Sequence, residues 1–179
     1  FGMQMATIEF ARNVLELKGA NSTEINPRTK YPVIHIMPHQ KEYLAKGQYG
    51  ATIRLGAWPC VIKKGTKLES FYKEYGMDKK SVWFEPNPLQ FKSKYKFGNR
   101  LVVYERHRHR YEFNNKFKKK FEKAGFVISG TSPDGKLVEA IELPDHPFFI
   151  GTQFHPEYES RPLTPHPIFV SFLQATISR

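Results

Sequence analysis

One cysteine, Cys60, is all the thiol chemistry that the 179 residues contain. That excludes an internal disulfide framework and fits a reducing compartment. No apolar run approaches the ~20 residues of a membrane-spanning helix, so no span is expected. The stretch from Phe1 to Asn13 carries Glu9 and Arg12 in a helix-like pattern and lacks the basic start of a secretory leader, so a cytoplasmic location is expected. Internal repeats are absent, and low complexity is confined to lysine-rich stretches. What is present is a globular composition: 40% hydrophobic, 15% aromatic and 25% charged residues, enough for a domain with a buried core.

The formal charge of +11 suggests at first a nucleic-acid binder. Its distribution argues against that. From Arg54 to Lys123 there are 19 basic and 7 acidic residues, a net +12, and the remainder of the chain is at −1. A single lysine-rich block of this kind is ordinarily a solvated face.

Helices are expected at both ends with strands between, an α/β layered domain. Met3, Ala6, Phe10, Val14 and Leu17 recur at helical steps, with Gly19 as the stop. Turn formers fill Ala20–Tyr31, and Val33–Met37 reads as a strand. Residues 51–63 read as one or two short strands, and Lys67–Tyr75 as a helix closed by Gly76. Met77–Asn99 has no clean period and contains Pro86 and Pro88; it reads as an irregular, basic surface excursion. Leu101–Tyr104 is a strand that opens into Glu105-Arg106-His107-Arg108-His109-Arg110-Tyr111. Asn114 caps a helix whose Phe117, Phe121 and Ala124 face inward, ending at Gly125. Phe126–Ser129, Leu137–Leu143 and Phe148–Phe154 are strands, the first two joined by the turn Ser132–Gly135. Pro167–Ile177 is a closing helix.

Chemistry concentrates in a few places. Phe154-His155-Pro156-Glu157 follows a hydrophobic strand, where α/β folds place functional side chains. In an extended segment, His155 and Glu157 share a side, and the carboxylate can fix the imidazole tautomer. The plain alternative is a surface turn. In a strand, Arg106, Arg108 and Arg110 share one face, suited to a planar anion, while His107 and His109 share the other. The flanking arginines oppose a metal at His107-x-His109, and no metal is expected; the plain reading is a basic edge strand. Asn21-Ser22-Thr23-Glu24 is either a capped loop or a place where Glu24 accepts an ammonium. Gly2-Met3-Gln4 at a helix start offers unpaired backbone N–H groups.

Together these segments resemble one family, the glutamine amidotransferase domains of CTP synthases. The resemblance is carried by Gly2-Met3-Gln4, Glu9–Asn13, Ala20–Glu24, Thr52-Ile53-Arg54-Leu55-Gly56, Glu105–Glu112, Ser129–Gly135, Asp145–Phe149, Phe154–Glu157 and Ser160-Arg161-Pro162. It covers Phe1 to about Ala175. Phe-His-Pro-Glu is shared with other class I amidotransferases, whereas the Arg-His alternation and Asn-Ser-Thr-Glu point to the CTP synthases. The resemblance implies a flavodoxin-like layered sheet with flanking helices and a Cys-His-Glu triad that hydrolyses glutamine. The ammonia would pass to a synthase domain that aminates ATP-activated UTP to CTP. By motif, His155 is the general base and acid and Glu157 its orienting carboxylate. Phe1, Gly2, Met3, Gln4, Glu24 and Arg110 would hold glutamine, with Arg110 on the α-carboxylate, Glu24 on the α-ammonium and the Phe1 N–H on the oxyanion. Thr52 and Arg54 would lie in a GTP-responsive lid. The family further implies no cofactor in this domain, ATP and Mg in the synthase domain, GTP as activator, and a homo-oligomer, tetrameric in the family.

Two departures stand out. The family's nucleophilic cysteine falls immediately before the residue matching Phe1, and the strands and second oxyanion glycine preceding it are likewise not in the chain, so residues 1–179 read as the C-terminal portion of such a domain. Met77–Asn99 is inserted where the family joins helix to strand with few residues, and Tyr49 replaces a lid glycine. The alternative from another class is a catalytically silent, basic amidotransferase-like module that binds nucleic acid or an acidic partner.

Overall fold

A computed structural model of the chain describes residues 1–36, 54–75 and 99–177. The strand end at Met37, the lid residues Tyr49 and Thr52, the stop at Gly76 and the excursion from Met77 to residue 98 lie outside them.

Helix α1, Gly2–Asn13, buries Met3, Gln4, Thr7, Ile8 and Ala11, one stripe of its surface. It stops well before Gly19. Val14 caps it, Glu16 takes a left-handed φ of 56°, and Leu15 and Leu17 reach the core from a turn instead of a helix. Arg12 Nε donates to the Ala20 carbonyl at 2.8 Å, holding the chain where it doubles back. Past the helix the period breaks: Val14 is exposed, and Leu15 and Leu17 are the residues the turn buries.

Strands β1 (Asn21–Ser22) and β2 (Pro32–Ile36) pair in parallel, and β2 pairs antiparallel with β5 (Tyr111–Phe113) to give a three-stranded sheet. Residues 54–62 form a single strand, β3 (Arg54–Ile62), followed by α2 (Lys67–Glu74) and β4 (Val102–His109). Asn114 caps a 3₁₀ turn, Asn115–Phe117, which leads into the short α3 (Lys118–Lys123). Phe121 is buried as expected, but Ala124 is exposed, because α3 ends before the turn that would carry it inward. Strands β6 (Val127–Thr131), β7 (Val138–Glu142) and β8 (Ile150–Thr152) complete a five-stranded sheet in the order β4-β3-β6-β7-β8. Its pairings are all antiparallel. Helix α4 spans Pro167–Ile177.

The core has two parts. Phe10, Phe113, Phe121 and Phe126 pack as an aromatic cluster between α1, β5 and α3. A second cluster joins Cys60, Leu68, Tyr72, Ala140, Phe154 and Ile168. Buried polar groups tie elements across it. Glu142 on β7 accepts the N–H groups of Lys67 and Leu68 at 3.0 and 3.1 Å, capping α2. Glu105 accepts from Tyr72 at 2.5 Å and lies 3.0 Å from His166 Nε2, linking α2, β4 and the start of α4.

One feature of the topology positions the site. Along β4, Glu105 and His107 point inward while Arg106 and Arg108 turn outward. Arg110 does not continue that row: it falls between β4 and β5, where the chain leaves the five-stranded sheet for the three-stranded one.

Candidate functional site

His155 lies just past β8. Its backbone N–H donates to the Arg106 carbonyl at 2.8 Å, so the residue is docked against β4. Pro156 opens a 3₁₀ turn, Pro156–Tyr158, its fixed φ suiting a first helical position. This turn, in place of the extended segment expected from sequence, carries Glu157 back to the ring: Nδ1 lies 2.7 Å from Oε1. Tyr158 stacks on the imidazole at 5.2 Å and 21°. With Nδ1–H donated to the carboxylate, Nε2 keeps its lone pair. Burial pushes the Glu157 carboxyl up, but the hydrogen bond from His155 and a backbone N–H together hold it below the usual range.

A cavity of about 400 Å³ opens beside this pair, and Phe1, Gln4, Glu24, Arg110, His155 and Glu157 all line it. These residues come from α1, the β1–β2 loop, the β4–β5 crossing and the turn after β8. Gly2 and Met3 do not line it: Met3 is in the core at 3% exposure, and Gly2 begins the helix. Gln4 donates from Nε2 to the Tyr111 carbonyl at 3.0 Å, and its Oε1 is buried without a partner among the described residues. Neither the Arg110 guanidinium nor the Glu24 carboxylate has a hydrogen-bond or ion-pair partner among the described residues. Tyr111 has its phenol pushed up by burial first and the Glu24 charge second, which places that carboxylate at the same wall. The cavity thus offers a free cation, a free anion and an imidazole with an available nitrogen.

Sequence reasoning missed two lining residues, Gln153 and His109, and the carboxylate behind them. Gln153 donates from Nε2 to the Tyr111 carbonyl at 2.7 Å, His109 lines the cavity with Nε2 2.7 Å from Glu112, and Glu112 lies behind both at 1% exposure. The only signal in the sequence was adjacency to the motifs, since Gln153 precedes Phe154-His155 and Glu112 closes the Arg-His run.

Arg54 is in the interior, at 6% exposure, and Thr52 is not among the described residues. As the first residue of β3, opposite His109, Arg54 turns its guanidinium to Glu139 at 2.6 Å and over the Trp58 ring at 4.9 Å. The partner carboxyl, Glu139, is pushed up by burial and drawn back by Arg54. His107 is held neutral, its basicity lowered far by burial and then by the Arg54 charge. Among the described residues no group of three His, Cys, Asp or Glu could hold a metal ion. Cys60 is fully buried on β3, and burial, followed by the charges of Glu139 and Glu105, pushes its thiol up. It is a core residue remote from the cavity lining.

A larger hollow of about 850 Å³ lies between β3, α2 and α3, lined by Lys63, Lys64, Arg100 and Lys118. Size alone favours it, but no histidine or cysteine is among its described lining residues, so it offers neither an imidazole base nor a thiol nucleophile.

Known proteins bear on the smaller cavity. The model of the class I glutamine amidotransferases matches residues 1–175. CTP synthase of Bacillus subtilis (strain 168) is 49% identical over 176 residues, which is 98% of this chain and 28% of the relative. CTP synthase of Caldanaerobacter subterraneus subsp. tengcongensis is 50% identical over 177 residues, 99% of this chain and again 28% of the relative. The chain therefore spans a little over a quarter of the length of these curated relatives. Among solved structures, the glutaminase domain of Trypanosoma brucei CTPS with bound acivicin aligns with a TM-score of 0.76 at 32% identity, covering 99% of this chain and 58% of that one. Among the described residues, no helix is long and apolar enough to cross a membrane.

Proposed function

The chain belongs to the class I glutamine amidotransferases, and we propose that within a CTP synthase it hydrolyses glutamine to supply ammonia for the amination of UTP. The observation that carries this reading is the convergence of Phe1, Gln4, Glu24, Arg110, His155 and Glu157 on one cavity.

Arg110 matches the substrate α-carboxylate as a planar fork, and Glu24 matches the α-ammonium. The two charges select a free amino acid over an uncharged amide. A cysteine thiol presented ahead of Phe1 is the nucleophile this scheme requires. His155 Nε2 takes its proton as sulfur attacks the side-chain amide carbon. The same proton passes to the departing nitrogen, releasing ammonia and leaving a glutamyl thioester. Water, deprotonated by His155, then attacks the thioester; sulfur leaves with the proton, and glutamate is freed. Glu157 keeps Nδ1 protonated and stabilises the imidazolium between steps. The Phe1 backbone N–H donates to the oxyanion. ATP and Mg belong to the synthase chemistry, GTP acts as activator, and the assembly is a homo-oligomer working in the cytoplasm.

In the full-length enzyme, His155→Ala should lower glutamine-dependent CTP formation by roughly 10²–10⁴-fold while sparing the reaction fed with free ammonia. Equal loss of both would refute the assignment.

A further inference from the structure

Arg110 reaches the cavity from the crossing where β4 of one sheet passes directly into β5 of the other, and what holds that crossing is a buried carboxylate. His109 ends β4 in the five-stranded sheet, while Tyr111 begins β5 in the three-stranded sheet. Between them Arg110 has no ladder partner on either side. The backbone of such a residue is restrained only by what its neighbours grip. The grip is Glu112: its Oε1 lies 2.7 Å from His109 Nε2, so one contact spans the crossing and closes it into a tight loop. Oε2 of the same carboxylate lies 3.4 Å from Gln153 Nε2, whose shorter bond, 2.7 Å, goes to the Tyr111 carbonyl. That carbonyl also accepts from Gln4 at 3.0 Å. Behind the carboxylate stands the Arg54 guanidinium, 3.9 Å away and anchored on Glu139.

We propose that Glu112 is a positioning residue for glutamine binding: by bracketing Arg110 through His109, it sets the guanidinium at the height the substrate α-carboxylate requires. Glu112 touches no substrate. It is 1% exposed and absent from the cavity lining, whereas His109, Arg110, Tyr111 and Gln153 line it. It therefore acts through those neighbours, and its loss should weaken ground-state binding more than the chemical step at His155. Arg54 takes a corresponding part, compensating a carboxylate that would otherwise be buried among Glu139 and neutral His107. The inference rests on the glutamine-site reading above.

The test is steady-state glutaminase kinetics on the full-length enzyme carrying Glu112→Gln, Arg110→Lys or both. Glu112→Gln keeps the shape and an acceptor but removes the charge that strengthens the contact with His109. It should raise KM for glutamine roughly 5–30-fold, with kcat changed by no more than about twofold. If Glu112 acts through Arg110, the double variant should show about the KM of Arg110→Lys alone, a non-additive cycle. Should Glu112→Gln fail to fold, His109→Asn loosens the same contact from the other side and should give the same rise in KM. An unchanged KM in the folded variant, a fall in kcat equal to the fall in kcat/KM, or fully additive effects would overturn the proposal. If Arg110→Lys and His155→Ala leave glutamine hydrolysis intact, the glutamine-site reading itself fails, which is a different result from an inert Glu112.

Discussion

The 2.7 Å contact between His155 Nδ1 and Glu157 helps hold that carboxyl below its ordinary range against the opposing effect of burial. The sign follows by linkage. A carboxyl depressed in the folded state stabilises the fold above its unfolded value and loses that contribution as pH falls through the lower folded value. Glu157 has a side chain 54% exposed, so solvent screens the effect and the gain is small. Melting curves of the wild type and Glu157→Gln should therefore differ slightly near pH 7 and converge as pH drops below the usual glutamate range. A gap that widens on acidification would mean that the pair does not stabilise the fold. Arg110 makes a sharper case. Its guanidinium faces the cavity without a partner among the described residues, so a lysine there keeps the charge but loses the two-pronged fit. Arg110→Lys should raise KM for glutamine about tenfold, which glutaminase assays on the full-length enzyme would read directly. An unaltered KM would reduce the arginine to a surface feature. Gln4, Glu24, Arg110, His155 and Glu157 were legible in sequence because each sits inside a short motif. Glu112, Gln153 and the Arg54–Glu139 pair were not, since their contacts exist only after β4 crosses into the second sheet and β3 lies against β7.

Elements meet most tightly where a side chain is missing. Gly130 on β6 faces the buried Cys60: a Cβ there would lie 2.7 Å from Sγ and 3.1 Å from the Ala140 Cβ. Both neighbours are strand residues in a closed core, with little room to yield. Gly130→Ala should cost about 1–3 kcal/mol, seen as a lower denaturant midpoint at unchanged m-value. A midpoint equal to wild type would show that β3 and β6 can part without penalty. Such contacts lie beyond any period in the sequence, as does the early end of α1. The spacing that ran from Met3 to Leu17 found Met3 and Leu17 in the core but put the exposed Val14 on the same face, because it could not distinguish a helix from the turn that follows α1. Strands β6 and β7 were legible because short apolar runs flank a stretch of turn formers, Asp134 accepting the Lys136 N–H at 3.1 Å across the turn. Where two sheets share one strand segment, local pattern carries no instruction about which sheet follows. The arginine row was therefore extended one residue too far.

Among the described residues, Arg108 and Arg110 of the basic block line the smaller cavity, while its lysines do not. Lys116, Lys119, Lys120 and Lys123 are exposed on and beside α3, the solvated-face arrangement that lysine-rich runs ordinarily adopt. The thiol chemistry is separated from the cavity as well. Cys60, the sole cysteine, is at 0% exposure within β3, with its thiol pushed up by burial and by the charges of Glu139 and Glu105. Nucleophilic cysteines need the opposite environment: partial exposure, nearby positive charge or a helix start, and a base within reach. His155 has none of these 179 residues available as a thiolate partner. The polypeptide of residues 1–179 should therefore show no glutamine turnover by itself, whatever the integrity of its cavity. Incubation with a glutamine-like chloroketone followed by peptide mass spectrometry gives the decisive reading. The folded 179-residue chain should remain unlabelled, and Cys60 should react with a general thiol reagent only after denaturation. In full-length enzyme the same chloroketone should label one cysteine ahead of Phe1, and His155→Ala should slow that labelling. Labelling of Cys60 in the folded chain, or turnover by that chain alone, would place the nucleophile on β3 and overturn the triad proposed around His155.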